Sequence, residues 1–148
     1  MKLYRFGFDV CGLILFLLVM LPNFIWFAIP VPNDVLRVES VTPIVDAIAS
    51  VFQILTVATL CFVINKERSR LSLSPWGIAT IACVLIYYVG WGLYYHGIFE
   101  ASVILLLTIP PCAAFILFSA DRKNIPACVF ATVFAVCHLV FATMNFII

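Results

Sequence analysis

Five runs of roughly twenty apolar residues, joined by short polar connections, leave this 148-residue chain one kind of solution. The runs cover 7–29, 44–64, 76–96, 101–120 and 126–147. Each can cross the hydrocarbon of a bilayer as a helix, the form in which a single segment pairs all its own backbone polar groups. The sequence therefore predicts an all-α integral membrane protein, a compact bundle of five transmembrane helices in one domain over 1–148. Only 10% of residues are charged, against about 25% in a soluble domain. The connections at 97–100 and 121–125 are too short to let the chain travel, so the third, fourth and fifth spans are expected to be antiparallel neighbours.

The charges give the bundle a direction. Lys2, Arg5, Lys66, Arg68, Arg70, Arg122 and Lys123 fall in the N-terminal stub and the second and fourth connections. Arg37 alone lies in the alternate set. Basic residues mark cytoplasmic loops, so the N-terminus is expected inside and the C-terminus extracytoplasmic, as in a bacterial plasma membrane. Lys2 and Arg5 before an apolar run resemble a secretory signal. No small-x-small cleavage site follows, so the segment reads as an uncleaved first span. No basic cluster of the size that binds nucleic acid is present.

Local signals refine the boundaries. Thr42-Pro43, Ser74-Pro75 and Asn124-Ile125-Pro126 each combine a capping side chain with a proline suited to the first turn of a helix. Small residues recur in the second span (Ala47, Ala49, Ser50, Ala58) and the third (Gly90, Gly92), where helices are expected to approach closely. Pro22 in the first span and Pro110-Pro111 in the fourth remove backbone donors, and the carbonyls they free need other partners, such as Thr108. Interrupted helices near mid-membrane recur at transporter sites but also as plain kinks.

No motif for catalysis stands out. The six cysteines form no C-x-x-C pair and no Cys/His zinc spacing, and they read as packing residues. Asp46, His96, Glu100 and His138 could act as acids or bases, yet they show no spacing that assembles a site. The chain is read as non-enzymatic, with no cofactor.

Polar residues inside the spans carry what remains. Asp46, Ser50, Gln53 and Thr56 follow i, i+4, i+7 and i+10 spacing along one helical face. His138 lies near the middle of the fifth span, and Asn145 shares its face; ionisable groups at that depth usually face the bundle interior. Asn23 follows Pro22. Together Asn23, Asp46, Gln53, His138 and Asn145 are the candidates for a ligand site or pathway, against the alternative that they are helix–helix contacts. The connection at 30–43 holds turn residues and an ion-pair set, Asn33, Asp34, Arg37 and Glu39, which form either a lid over the outer span ends or an ordinary connection.

Two functional readings follow. The compact chain without a soluble domain favours an accessory or regulatory subunit acting through a larger membrane partner. The other is a small-solute or ion binding or transport protein with an outward-opening polar cavity, proton-coupled through His138 and assembled as a parallel homo-oligomer.

Overall fold

The computed structural model describes residues 3–68 and 73–148; Lys2 and Arg70, two of the biased cations, lie outside the described residues. Five helices run along the chain: α1 (Val10–Ala28), α2 (Pro43–Phe62), α3 (Pro75–Tyr95), α4 (Ala101–Asp121) and α5 (Ile125–Phe146). All five are long and apolar enough to cross a membrane. Their exposed faces are mostly hydrocarbon, with Val51, Ile54, Ile81, Leu85, Val89 and Val136 all exposed.

One element departs from an all-helical chain. Residues 4–6 (β1, Tyr4–Phe6) pair antiparallel with Val63–Asn65 (β2), Tyr4 opposite Asn65 and Phe6 opposite Val63. The first helix accordingly starts later than the apolar run suggests. The Gly7 and Asp9 N–H groups bond the Phe62 and Cys61 carbonyls at 3.0 and 2.8 Å. The Asp9 carboxylate then caps α1 by accepting from the N–H groups of Cys11 and Gly12. β-Branched Val63 and Ile64, expected in the second span, are the residues that suit the extended strand instead.

Capping follows the sequence at two of three sites. The Ser74 hydroxyl accepts from the Gly77 N–H and the Asn124 side chain from the Ala127 N–H. Thr42 makes no cap bond; its hydroxyl accepts from the Asn145 amide at 2.9 Å, and Pro43 opens the helix alone.

The helices pack in the order α1–α2–α5–α4–α3, and the ring closes sparsely from α3 back to α1. Half of the most apolar window of α4 is buried, against 22–28% in the other four helices, so α4 is the central element. Gly90 permits that packing, because a Cβ there would sit 3.0 Å from the Leu106 Cβ. Gly92 faces open space and serves no close approach. The tightest contact lies where no small-residue stripe announced it: a Cβ on Gly12 would stand 2.6 Å from the Leu60 carbonyl oxygen.

Pro22 does not break α1. It withholds an N–H from the carbonyl of Leu18, four residues back, and the Tyr88 hydroxyl donates to that carbonyl at 2.8 Å. Pro110 and Pro111 likewise withhold donors from Leu106 and Leu107 inside a continuous α4. Thr108 does not compensate, since its hydroxyl donates to the Ile104 carbonyl.

The two ends of the bundle differ in kind. At the basic end the Arg122 guanidinium pairs with Asp9 at 3.4 Å. The Asn124 amide donates to the carbonyls of Thr59 and Val63, and the Asn65 amide donates to the Lys123 carbonyl. The Ser74 hydroxyl donates to Asp121. The opposite, acidic end carries the long connection, the α3–α4 turn and the C-terminus.

Candidate functional site

α1 and α2 meet closely at Gly12 and Leu60, near the basic end, and have few contacts elsewhere. Toward the acidic end a cavity of about 480 Å³ opens, walled by all five helices. That size falls within the roughly 300–1,000 Å³ of small-molecule sites. Asp46 and Ser50 on α2 and Phe27 on α1 are exposed, so the cavity reaches the surface there, while Gln53, Cys112, Phe115 and Phe134 line it with less exposure.

Four of the five expected pathway residues meet here. Asn23, Asp46, Gln53 and His138 all line the cavity, the α2 pair because i and i+7 lie on one face. Their hydrogen bonding is incomplete. The Asn23 amide N–H donates to the Val19 carbonyl at 3.0 Å and to the Tyr87 hydroxyl at 2.7 Å. Its carbonyl oxygen accepts nothing among the described residues. The Tyr87 hydroxyl accepts that bond, but among the described residues its own proton has no acceptor. The Gln53 and His138 side chains make no hydrogen bond among the described residues, and Asp46 uses its backbone but not its carboxylate. The Trp91 indole N–H lies beside the Tyr87 hydroxyl but outside hydrogen-bond geometry, and among the described residues it is the one buried side-chain polar atom without a partner.

An unpaired buried polar group costs about 1–3 kcal/mol, a cost that falls on the Trp91 N–H; the groups of Asn23, Asp46, Gln53 and His138 reach the cavity space instead. Several gathered around one cavity mark a place for water or a polar ligand. The walls between them are largely aromatic. The His138 ring is stacked between Phe134 and Phe141, with centroids 5.1 and 6.3 Å away and planes within 18° and 11°. Trp91 packs against Tyr87 and Trp26. Asp46 is the single carboxylate in the lining; no Lys or Arg contributes.

Asn145 stands apart from the cavity. Its amide oxygen accepts from the Val41 N–H at 2.7 Å and its nitrogen donates to the Thr42 hydroxyl and Phe141 carbonyl, tying the end of α5 to the connection.

The connection itself is pinned down. Asp34 Oδ2 accepts from the Trp26 indole at 2.6 Å and Arg37 Nε at 3.1 Å, while Oδ1 accepts from the Tyr94 hydroxyl at 2.5 Å and the Leu36 N–H at 3.1 Å. Burial acts to raise the Asp34 carboxyl, but bonds from Tyr94, Trp26, Leu36 and Arg37 outweigh it and hold the group below its usual value. Arg37 lies over the Trp26 ring at 4.5 Å and donates to the Trp26 carbonyl. Val31 is buried in the core beneath, and Leu36 reaches into the cavity. Of the four expected lid residues, Asp34 and Arg37 form this latch. Asn33 is an exposed turn residue at φ 57°, and Glu39 is exposed without a side-chain bond among the described residues.

Tyr87 and Trp91, which share a face with Tyr94, were not singled out from the sequence. The three stand at i, i+4 and i+7 on α3, and all are almost completely buried. Three aromatics with polar handles on one helix face were a signal that could have located the site. Elsewhere, a groove of about 720 Å³ between α1 and α3 is walled mainly by apolar side chains such as Ile14, Leu18, Ile81 and Leu85. All six cysteines are free thiols. Among the described residues no three His, Cys, Asp or Glu side chains gather to hold a metal ion.

Fold and site together define a five-helix bundle of membrane-crossing dimensions, with an aromatic-walled polar cavity near its acidic end. Comparison with protein-family models, with curated proteins and with solved structures finds no match to this chain.

Proposed function

We propose that this protein binds a small polar solute in the cavity beneath the latched connection, as a binding or transport protein of a bacterial plasma membrane. One observation carries the reading: polar groups of Asn23, Asp46, Gln53, Tyr87, Trp91 and His138 converge on a single cavity with hydrogen-bonding capacity unused. Polar side chains acting only as contacts between helices would bond one another, and these largely do not. The basic end faces the cytoplasm in this reading, by the bias of positive charge, so the mouth at Asp46 opens outside. The accessory role ranks second. In its favour is the apolar groove between α1 and α3, which a partner helix would fill.

Thiol labelling tests the cavity. In a background with the native cysteines replaced by alanine, Gln53→Cys should react with a membrane-impermeant, water-soluble thiol reagent added outside right-side-out vesicles. Ile54→Cys, one position along and facing outward, should not react. Equal reactivity at both sites, none at position 53, or reaction only from the inside would refute an outward-opening solute cavity.

A further inference from the structure

The cavity's chemistry narrows its occupant. The lining has one carboxylate and no Lys or Arg, and the nearby Arg37, over the Trp26 ring, is already paired with Asp34. Asp46 sits at the mouth without an ion pair among the described residues, in the first turn of α2; His138 is the titratable group within its field. The lining also holds aromatic rings from three helices, Trp26, Trp91, Phe134 and Phe141, with Arg37 over one face of Trp26 and His138 stacked against the two phenylalanines. Acceptor oxygen adds to the same character. The Asn23 side-chain oxygen is free among the described residues, and the carbonyl of Leu107, on the cavity wall, lacks its i+4 donor because Pro111 stands there.

We propose that the occupant is a small organic cation, an alkylammonium or quaternary ammonium compound, with Asp46 as its counter-ion and aromatic faces around its positive head. Ammonium groups bind ring faces through the quadrupole of the π-system, and they do so more strongly when desolvated. The carboxylate at the mouth also raises the local concentration of cations before entry. Gln53 and the Tyr87 hydroxyl, deeper in, address a hydroxyl or carbonyl on the solute's far end. The inference rests on the binding reading above and specifies its ligand.

Isosteres separate charge from shape. Purified protein in detergent is titrated with choline, with its neutral analogue 3,3-dimethylbutan-1-ol, and with the anionic analogue 3,3-dimethylbutanoate; butylammonium and butan-1-ol form a second set. Binding is read by calorimetry and by quenching of indole fluorescence. The cations should bind at least about tenfold more tightly than their neutral analogues, as expected for cation–π contact plus a carboxylate. Asp46→Asn should remove that preference, and Asp46→Glu should restore most of it. Because Asp46 is exposed and uses only its backbone in hydrogen bonds, both variants should fold, which their helical signal will report. Equal binding of cation and neutral analogue, or a preference that survives Asp46→Asn, overturns the inference while leaving the solute cavity intact. No binding by any probe, together with an unreactive Gln53→Cys, overturns both.

Discussion

Replacing Asp34 by Asn tests whether the long connection is latched by charge or merely rests on the bundle. An Asn at 34 can keep one oxygen facing the Tyr94 hydroxyl and the Leu36 N–H. Its amide nitrogen must then face the Trp26 indole N–H and Arg37 Nε, donor against donor, where the carboxylate accepts at 2.6 and 3.1 Å. A hydrogen bond to a charged group contributes about 1.5–3 kcal/mol. The Arg37 pair, with its guanidinium side chain 39% exposed, adds about 0–1 kcal/mol. The expected loss is about 2–4 kcal/mol, concentrated in the connection because the helices keep their own contacts. Denaturation of the purified protein, followed by Trp26 emission and by protease cleavage within 30–42, measures it. Tyr94→Phe removes one donor to Asp34 and one acceptor for Leu36, and should cost about 1–2 kcal/mol by the same readout. The carboxyl's depressed pKa fixes the sign with pH. The stabilisation is fully present above the unfolded value of about 3.9 and is lost as pH falls through the lower folded value. The latch should therefore hold unchanged from pH 8 to 5 and loosen only below about pH 4. A loss under about 0.5 kcal/mol for Asp34→Asn, or loosening that begins near pH 6, would refute the latch.

Three further substitutions probe the packing. Gly12→Ala places a Cβ against the Leu60 carbonyl and should cost about 1–3 kcal/mol, whereas Gly92→Ala meets nothing and should be neutral or slightly stabilising; denaturation midpoints in detergent compare the pair. Tyr88→Phe should destabilise by about 1–3 kcal/mol in the native background but far less with Pro22→Ala, whose N–H serves the Leu18 carbonyl instead. Asn145→Ala should fray the C-terminal turn, seen as faster amide exchange at Val41, without changing solute binding in the cavity it does not line.

The spans and their short turns were legible because hydrocarbon imposes one requirement along the whole segment. Ser74 and Asn124 were legible as caps because capping depends on the residue and its immediate neighbours. The pairing of α2 with α5, the peripheral place of α1 and the β1–β2 ribbon depend on contacts between distant residues, for which periodicity carries no record. The same division runs through the site. Asn23, Asp46, Gln53 and His138 stood out because a polar group in an apolar run needs a reason. Tyr87 and Trp91 did not, since aromatic residues are unremarkable in such runs until their polar atoms are seen to face a cavity. Asn145 lies outside the cavity lining for a reason of position. It shares the face of His138, but at the helix end that face meets the connection, and Val41 and Thr42 take its amide.

The stitching at the basic end has a consequence for biosynthesis. Tyr4 bonds the Lys123 carbonyl 119 residues away, and Asp9 meets Arg122 across 113. A nascent chain completes α1 long before either partner leaves the ribosome. The first helix can pair with α2 and α3 as they emerge, but its fastening at the basic end is complete only when the α4–α5 turn arrives. A chain that terminates before residue 121 keeps the ties of α1 to α2 and α3 but lacks the Asp9–Arg122 pair and the Tyr4–Lys123 bond.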